Sequence, residues 1–321
     1  MESKIRYNEI DIYRGLAIIL IILGHSFCEF PVNIKDEFLN LQSFVASFNL
    51  SMFFWISGVL FSVKGTWGLF FEKKLKRLML PWVVFVLLSI LLRSVAGAFT
   101  HSHLESIPQE LWLAITTAKY YWFIYALFLM MLLTRLIKNK MVLAILGGAL
   151  LILSILDLKP SWNALLIKRM LYFYPWFLLG FLIKNFYSKL SEYVREHINV
   201  LMTLATIIFS SITILWFVGV EIMVPYLIPI CICTCLWVWS AWLTSLIKNE
   251  RIFTWFGIYS LQYYLNHCLI MLGCFYVGAK VFPISSLLAL LTVFLFGIAI
   301  STIMLFVEKR FKLLRFLCGF N

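Results

Sequence analysis

The chain has 321 residues, of which 63% are hydrophobic and only 13% are charged. Soluble domains are about half apolar and a quarter charged, so this composition excludes an ordinary soluble domain and is typical of a protein embedded in a bilayer. The net charge of +12 would suit a nucleic-acid-binding protein, but the basic residues lie in short loops between apolar runs. That placement indicates membrane topology and predicts no nucleic-acid partner.

Ten apolar stretches follow one another along the chain, each long enough to cross a bilayer as a helix. They lie at residues 14–30, 43–63, 78–98, 120–137, 141–157, 164–183, 199–218, 223–246, 252–274 and 284–307. Most of the 27 basic residues fall on one side of the membrane if both termini are cytoplasmic, as the positive-inside rule requires. The sequence therefore predicts an all-α polytopic protein with about ten transmembrane helices and one domain over residues 1–321.

Polar side chains recur on one face of the first helix, in the stretch DIYRGLAIILIILGHSF (11–27). Eleven residues of α-helix make three turns plus about 20°, so Arg14 and His25 lie on one stripe about 16 Å apart, with Asp11 about 40° off it. Ionisable groups at such depth are expensive and usually line a polar cavity. Two plainer interpretations stay open: Asp11 and Arg14 pair at the membrane interface, and His25 is a neutral imidazole bonded to a helix neighbour. Gly15 would let a backbone or a ligand approach Arg14 closely.

Three further stretches between residues 49 and 128 hold candidate groups. The second helix contains Ser57 and Gly58, small residues that also serve helix packing. A basic run within FEKKLKRLMLPW (71–82) is typical of a topology signal or a lipid-headgroup contact, and it would also suit a multiply phosphorylated ligand; its cations are Lys73, Lys74, Lys76 and Arg77. The predicted outer end of the fourth helix carries Trp122, Phe123 and Tyr125, which belong either to packing and an interfacial belt or to a sugar-stacking surface.

The stretch GIYSLQYYLNH (257–267) repeats the pattern of the first helix. Its members Gly257, Ser260, Tyr264 and His267 fall within about an 80° arc of one helix face. His267 would lie near the depth inferred for His25, and two deep histidines on separate helices are hard to explain as accidents. The cysteines at 231, 233 and 235 point around a helix with no histidine or acid beside them, so they predict apolar packing and no metal site.

Several of these motifs occur in a fixed order: D-x-x-R-G with G-H-S, F-F-x-x-S-G, a basic run ending in L-P, Y-W-F-x-Y-A-L, and G-x-x-S-x-x-x-Y-L-x-H. In this order and spacing the chain resembles the acyltransferase-3 family of membrane O-acyltransferases over essentially its whole length, most of all the fucose 4-O-acetylase-like branch. The resemblance departs from the family at Ser51-Met52, where a proline often precedes the paired phenylalanines, and in a lysine-rich basic segment.

The resemblance implies an enzyme of the bacterial inner membrane that transfers an acetyl group from cytoplasmic acetyl-CoA to a glycan or lipid-linked sugar. It implies that His25 is the catalytic histidine, that Arg14 and the basic segment bind coenzyme A phosphates, and that Tyr264 and His267 form the late motif. Lysine is a point charge rather than a bidentate fork, which weakens the phosphate assignments there.

The mechanism expected from these residues has His25 as general base on a sugar hydroxyl. Asp11 would hold Arg14, while four side chains are candidates to stabilise an oxyanion or position the acceptor: His267, Asn266, Tyr264 and Ser57. A covalent acetyl-enzyme on Ser26, Ser57 or Ser260 stays open. The alternative function is a transporter or flippase that uses the buried His and Arg side chains as a substrate or proton pathway.

Overall fold

A computed structural model of the chain describes residues 7–28, 36–95, 106–137, 139–155, 165–220, 226–247, 251–267, 269 and 286–320. These residues form helices and turns, and no strand occurs among them. The helices are α1 (Asn8–Cys28), α2 (Asp36–Leu60), α3 (Trp67–Lys74), α4 (Leu80–Val95), α5 (Ile107–Thr117), α6 (Trp122–Leu136), α7 (Lys140–Ile155), α8 (Leu165–Ile183), α9 (Tyr187–Glu196), α10 (Ile198–Val218), α11 (Leu227–Leu246), α12 (Arg251–Ile258), α13 (residues 260–267), α14 (Ser286–Arg310) and α15 (Lys312–Leu317).

The predicted all-α membrane fold is confirmed. Within the described ranges, seven helices are long and apolar enough to cross a bilayer, and the count rises to eight if the bent pair α5–α6 is one span. The predicted stretch 141–157 falls on α7, a shorter apolar helix, and the end of the stretch 252–274 lies outside the described residues. The exact number of spans and the side of each terminus stay predictions.

The chain divides into two compact units, each assembled from several stretches of sequence. The first unit comprises Met1–Gly24, Asp36–Leu60 and Trp176–Ser260, and the second comprises His25–Lys35, Phe61–Pro175 and Leu261–Asn321. Whether the whole chain behaves as the single predicted domain stays a prediction.

Glycines set the helix crossings of the first unit. A Cβ added to Gly58 on α2 would collide with the backbone of Phe177 on α8, and one added to Gly180 would collide with the backbone of Trp55. The two backbones therefore touch at a pair of glycines. Small residues allow such close van der Waals packing between membrane helices, which associate without a hydrophobic driving force. Aromatic rings fill the rest of this interior, with Trp55 between Tyr13 and Trp237 at ring-centre distances of 5.5 and 6.0 Å.

The second unit contains a break in helical register. A π-helical turn, Leu75–Met79, joins α3 to α4. The chain's last turn packs on it: Gly319 has φ +71°, and an added Cβ there would lie 2.7 Å from the carbonyl oxygen of Arg77. Gln262 on α13 donates from Nε2 to the carbonyl of Cys318 at 3.0 Å. The C-terminal turn thus connects the basic segment to the helix that carries His267.

Candidate functional site

Arg14 is the centre of a buried polar cluster in the first unit. Its Nη2 donates to Ser260 Oγ at 2.8 Å, and its Nη1 lies 3.8 Å from Asp11 Oδ1. Ser260 is only 2% exposed, and the side chains of Arg14 and Asp11 are 19% and 11% exposed. Charge-assisted contacts of this kind orient the planar guanidinium. Asp11 is therefore placed to hold Arg14, and Ser260 serves as its second partner.

Two glycines bring α1 and α12 close enough for this contact. A Cβ on Gly15 would lie 2.9 Å from the carbonyl oxygen of Phe253, and a Cβ on Gly257 would lie 2.5 Å from the carbonyl carbon of Asp11. Any larger residue at Gly257 would push the backbones apart. The close backbone approach expected at Gly15 is therefore made by α12.

The two deep histidines meet in the second unit. The ring centres of His25 on α1 and His267 on α13 are 5.1 Å apart, with a 55° angle between the ring planes. His267 is fully buried, whereas His25 is partly accessible. Two imidazoles from helices more than two hundred residues apart thus form one pair. The sequence predicted only that both lie at a similar depth in the membrane.

Hydrogen bonding differentiates the two rings. Nδ1 of His267 lies 3.0 Å from the carbonyl oxygen of Tyr263, and because a carbonyl only accepts, Nδ1 must carry the proton in the neutral ring. Nε2 of His267 is then an acceptor. Within the described part of the chain, the ring nitrogens of His25 have no hydrogen-bond partner. His25 is therefore the ring that is available to a ligand, and His267 is the ring that is fixed.

Tyr264 joins the histidine pair to a cluster of aromatic residues. Its ring centre lies 5.6 Å from that of His267, 5.3 Å from Phe123 and 6.2 Å from Tyr121. Of the three aromatics predicted as a sugar surface, Phe123 contacts Tyr264 in this way. Trp122 packs on Phe173 at 5.6 Å, and Tyr125 packs on Trp82 at 5.0 Å.

A strained turn positions these rings between α5 and α6. Ala118 and Tyr121 have φ values of 51° and 49°, in the left-handed region that side chains rarely adopt, and the two helices are bent by 42°. Glu110 holds the turn, since it accepts from Lys119 Nζ at 2.8 Å and from the Tyr120 hydroxyl at 2.7 Å. Strain that is maintained by such a network is frequent at functional sites.

The basic segment lies on α3 and the π-helical turn. Lys73 and Arg77 are exposed, while Lys74 Nζ lies 5.5 Å from the ring centre of Phe61. Lys76 pairs with Glu72 at 2.5 Å. The register change places successive cations at angles that an α-helix would not give, and π-turns of this kind often occur at functional sites. Lys73, Lys76 and Arg77 are the exposed members, and Lys76 is the one paired with Glu72.

Two of the predicted catalytic candidates have other neighbours. Asn266 faces α14, where its Nδ2 donates to Glu308 Oε1 at 2.9 Å, with both residues at most 2% exposed. Ser57 lies on α2 in the first unit, beside the Gly58 crossing. Sequence reasoning missed Glu308, which precedes Lys309 and Arg310 and reads as part of a solvated helix end. It also missed Tyr121, whose left-handed backbone no pattern signalled.

An all-helical apolar fold with paired ionisable side chains in its interior defines a polytopic membrane protein with a histidine-centred site. The sequence model of the family described as Acyltransferase domain, the acyltransferase-3 family, matches residues 7–306. The chain belongs to this family and is a membrane acyltransferase, as the motif resemblance predicted, which counts against the transporter alternative. The fucose 4-O-acetylase-like branch stays a prediction. No curated protein and no solved structure matched the chain.

Proposed function

We propose that the protein transfers an acetyl group from cytoplasmic acetyl-CoA to a hydroxyl of a cell-surface glycan or lipid-linked sugar in a bacterial inner membrane. The observation that supports this most is the pairing of His25 with His267 at 5.1 Å. O-Acyl transfer needs a base that removes the proton of a hydroxyl as it attacks, and an imidazole suits that task.

His25 is the general base in this mechanism. Its ring is partly accessible, and in the described residues nothing occupies its nitrogens. His267 is held by the Tyr263 carbonyl, with its ring centre 5.1 Å from that of His25. His267 is thus a positioning residue that packs against the base.

The residues present fit the chemistry of the donor. Coenzyme A carries phosphates, which favour an oriented guanidinium such as Arg14 and exposed cations such as Lys73 and Arg77. Arg14 and His25 lie on one helix, and their spacing along the sequence is the support for assigning the phosphates to one and the thioester to the other. When bound, the donor supplies the acetyl group, and coenzyme A leaves as a thiol with the proton that His25 has held.

Phe123 and Tyr264 are the groups best placed to contact the acceptor. Their rings are 5.3 Å apart, and Tyr264 lies 5.6 Å from His267. Aromatic faces bind the apolar side of a sugar ring, and the Tyr264 hydroxyl adds a polar group. Asn266 donates to Glu308 and so joins α13 to α14, while its role toward the acceptor stays a prediction.

The test replaces His25 by Asn in the full-length protein. Membranes that contain the wild type or the variant are given radiolabelled acetyl-CoA, and base-labile label in glycan is counted. We expect transfer to fall about 10²–10⁴-fold, the usual contribution of a general base. The matched control is His197→Asn, because His197 is exposed on the surface beside Tyr193. Undiminished transfer by His25→Asn would remove His25 from the mechanism, and solute uptake without labelled glycan would favour a transporter.

A further inference from the structure

Arg169 on α8 carries a positive charge whose purpose the transfer mechanism does not explain. Its guanidinium carbon lies 4.4 Å from the ring centre of Trp122 on α6. This distance is well within the range of a cation–π contact, and arginine over tryptophan is a strong form of it. Both residues belong to the second unit, as do the two histidines.

The contact with Trp122 leaves part of the guanidinium unsatisfied. Nη1 of Arg169 is buried, and no hydrogen-bond acceptor for it exists among the described residues. A buried N–H group without an acceptor is costly, and such groups in native proteins call for an explanation. A cation–π contact satisfies the charge from one face of the plane only, because the N–H bonds of guanidinium point outward from its edge. The edge of the Arg169 guanidinium can therefore donate a hydrogen bond from Nη1 to a bound ligand.

The position of Arg169 relates it to the acceptor side of the proposed site. Trp122 and Phe123 are adjacent on α6, and Phe123 packs on Tyr264, whose ring is 5.6 Å from His267. The strained turn that ends at Tyr121 presents both α6 rings to these partners. The Arg169 guanidinium is thus connected to the histidine pair by a series of aromatic contacts, through Trp122 and Phe123 on α6 and then Tyr264.

We propose that Arg169, stacked on Trp122, binds an oxyanion that is part of the acceptor sugar. The oxyanion is either the phosphate of a lipid-linked sugar phosphate or the carboxylate of an acidic sugar, since a guanidinium edge binds both through paired N–H···O bonds. This inference rests on the proposed transferase function and names the class of its acceptor. Arg169 gives selectivity: an acceptor without the anion leaves Nη1 unsatisfied, and a site built to bond a group rejects the analogue that lacks it.

Binding is measured separately from catalysis. The purified full-length protein in detergent is titrated by calorimetry with glucose 1-phosphate, glucuronic acid, inorganic phosphate and, as neutral reference, glucose. The variants are Arg169→Met, Arg169→Lys and the control Lys168→Met, which removes the same charge from an exposed neighbour on α8. A His25→Asn protein is titrated in parallel.

We expect the wild type to bind at least one anionic sugar more tightly than glucose. Arg169→Met should weaken that binding at least about tenfold, as loss of a charge-assisted bond does, and leave glucose unaffected. Arg169→Lys should keep part of the anion binding, and Lys168→Met should bind the anion as tightly as the wild type. Preference for glucose 1-phosphate identifies a sugar phosphate, and preference for glucuronic acid identifies an acidic sugar.

Two results would overturn the inference: equal binding of charged and neutral sugars by the wild type, or unchanged anion binding by a folded Arg169→Met protein. The His25→Asn protein separates this from the proposed function. It should bind the anion normally and lose acetyl transfer by about 10²–10⁴-fold, as expected above. Anion binding that depends on Arg169 in a wild-type protein without transferase activity would leave the anion site standing and remove the transferase.

Discussion

Replacement of Gly257 by Ala tests the contact between α1 and α12 that orients Arg14. The added methyl group would lie 2.5 Å from the carbonyl carbon of Asp11 and 2.9 Å from its Cα, and these atoms are backbone, which cannot turn aside as a side chain can. Ordinary contact begins near 3.4 Å, and the carbonyl oxygen of Asp11 lies closer still, so the two helices must separate by more than about 1 Å. Overpacking of this size costs about 1–3 kcal/mol of folding free energy.

The same displacement should affect the site. Arg14 Nη2 and Ser260 Oγ are 2.8 Å apart, and an added separation of roughly 1 Å takes them beyond hydrogen-bonding distance. If Arg14 binds the donor phosphates, the KM for acetyl-CoA should rise by more than kcat falls, because the base at His25 is unchanged. A smaller loss is expected for Gly15→Ala, where the nearest atom to the methyl group is 2.9 Å away.

The assay is thermal unfolding of the purified protein in detergent, followed by transfer kinetics at varied acetyl-CoA. The matched control is Gly148→Ala on α7, where nothing lies within 4 Å of the added Cβ. That change should leave the unfolding midpoint unchanged or raise it, since Ala favours a helix interior by up to about 1 kcal/mol. A Gly257→Ala protein that unfolds at the wild-type temperature with an unaltered KM would refute the close packing of α1 on α12.

Two further predictions concern the polar groups around α13 and the C-terminal turn. Replacing Asn266 by Leu should lower the free energy of unfolding by about 1–3 kcal/mol, because the buried Glu308 carboxyl loses the hydrogen bond from Asn266. In denaturant titrations, the double change Asn266→Leu and Glu308→Leu should restore part of this loss. A double variant that is no more stable than Asn266→Leu alone would contradict the pairing. Burial, and then the nearby Glu308 carboxyl, raise the pKa of the Cys318 thiol, so at pH 8 it stays protonated. Iodoacetamide should therefore label Cys318 slowly in the folded protein and quickly after denaturation, as peptide mass spectrometry would measure; rapid labelling of the folded protein would count against this burial.

The position of the histidine pair has a consequence for substrate choice. His267 is held by a carbonyl of its own helix, so its tautomer does not depend on the ligand. His25 has no such restraint in the described residues, and under the proposed mechanism its ring can adjust to the acceptor hydroxyl. Selectivity must then come from groups beyond the pair, which are the aromatic rings around Tyr264 and the Arg169 edge on Trp122.

Local patterns in the sequence were sufficient for the helical class and for the candidate residues on single helices. Hydropathy marks apolar helices wherever they pack, because the bilayer requires every span to satisfy its own backbone. Helical periodicity also placed Arg14 and His25 on one face, since that relation depends on eleven residues of one element. The shortness of α7 could not be predicted from the sequence, because a short apolar helix and a membrane span have the same composition.

Partners on different helices were decided only by the tertiary structure. The sequence has both histidines, but nothing local states that α1 packs so that His25 meets His267 rather than lipid. Asn266 and His267 are neighbours in sequence, yet a 100° rotation per residue turns one toward Glu308 and the other toward His25. Arg169 on Trp122 has no sequence signature either. Composition and periodicity are properties of one segment, whereas a pair of side chains depends on which helices are adjacent, and that choice is made by the packing of the whole chain.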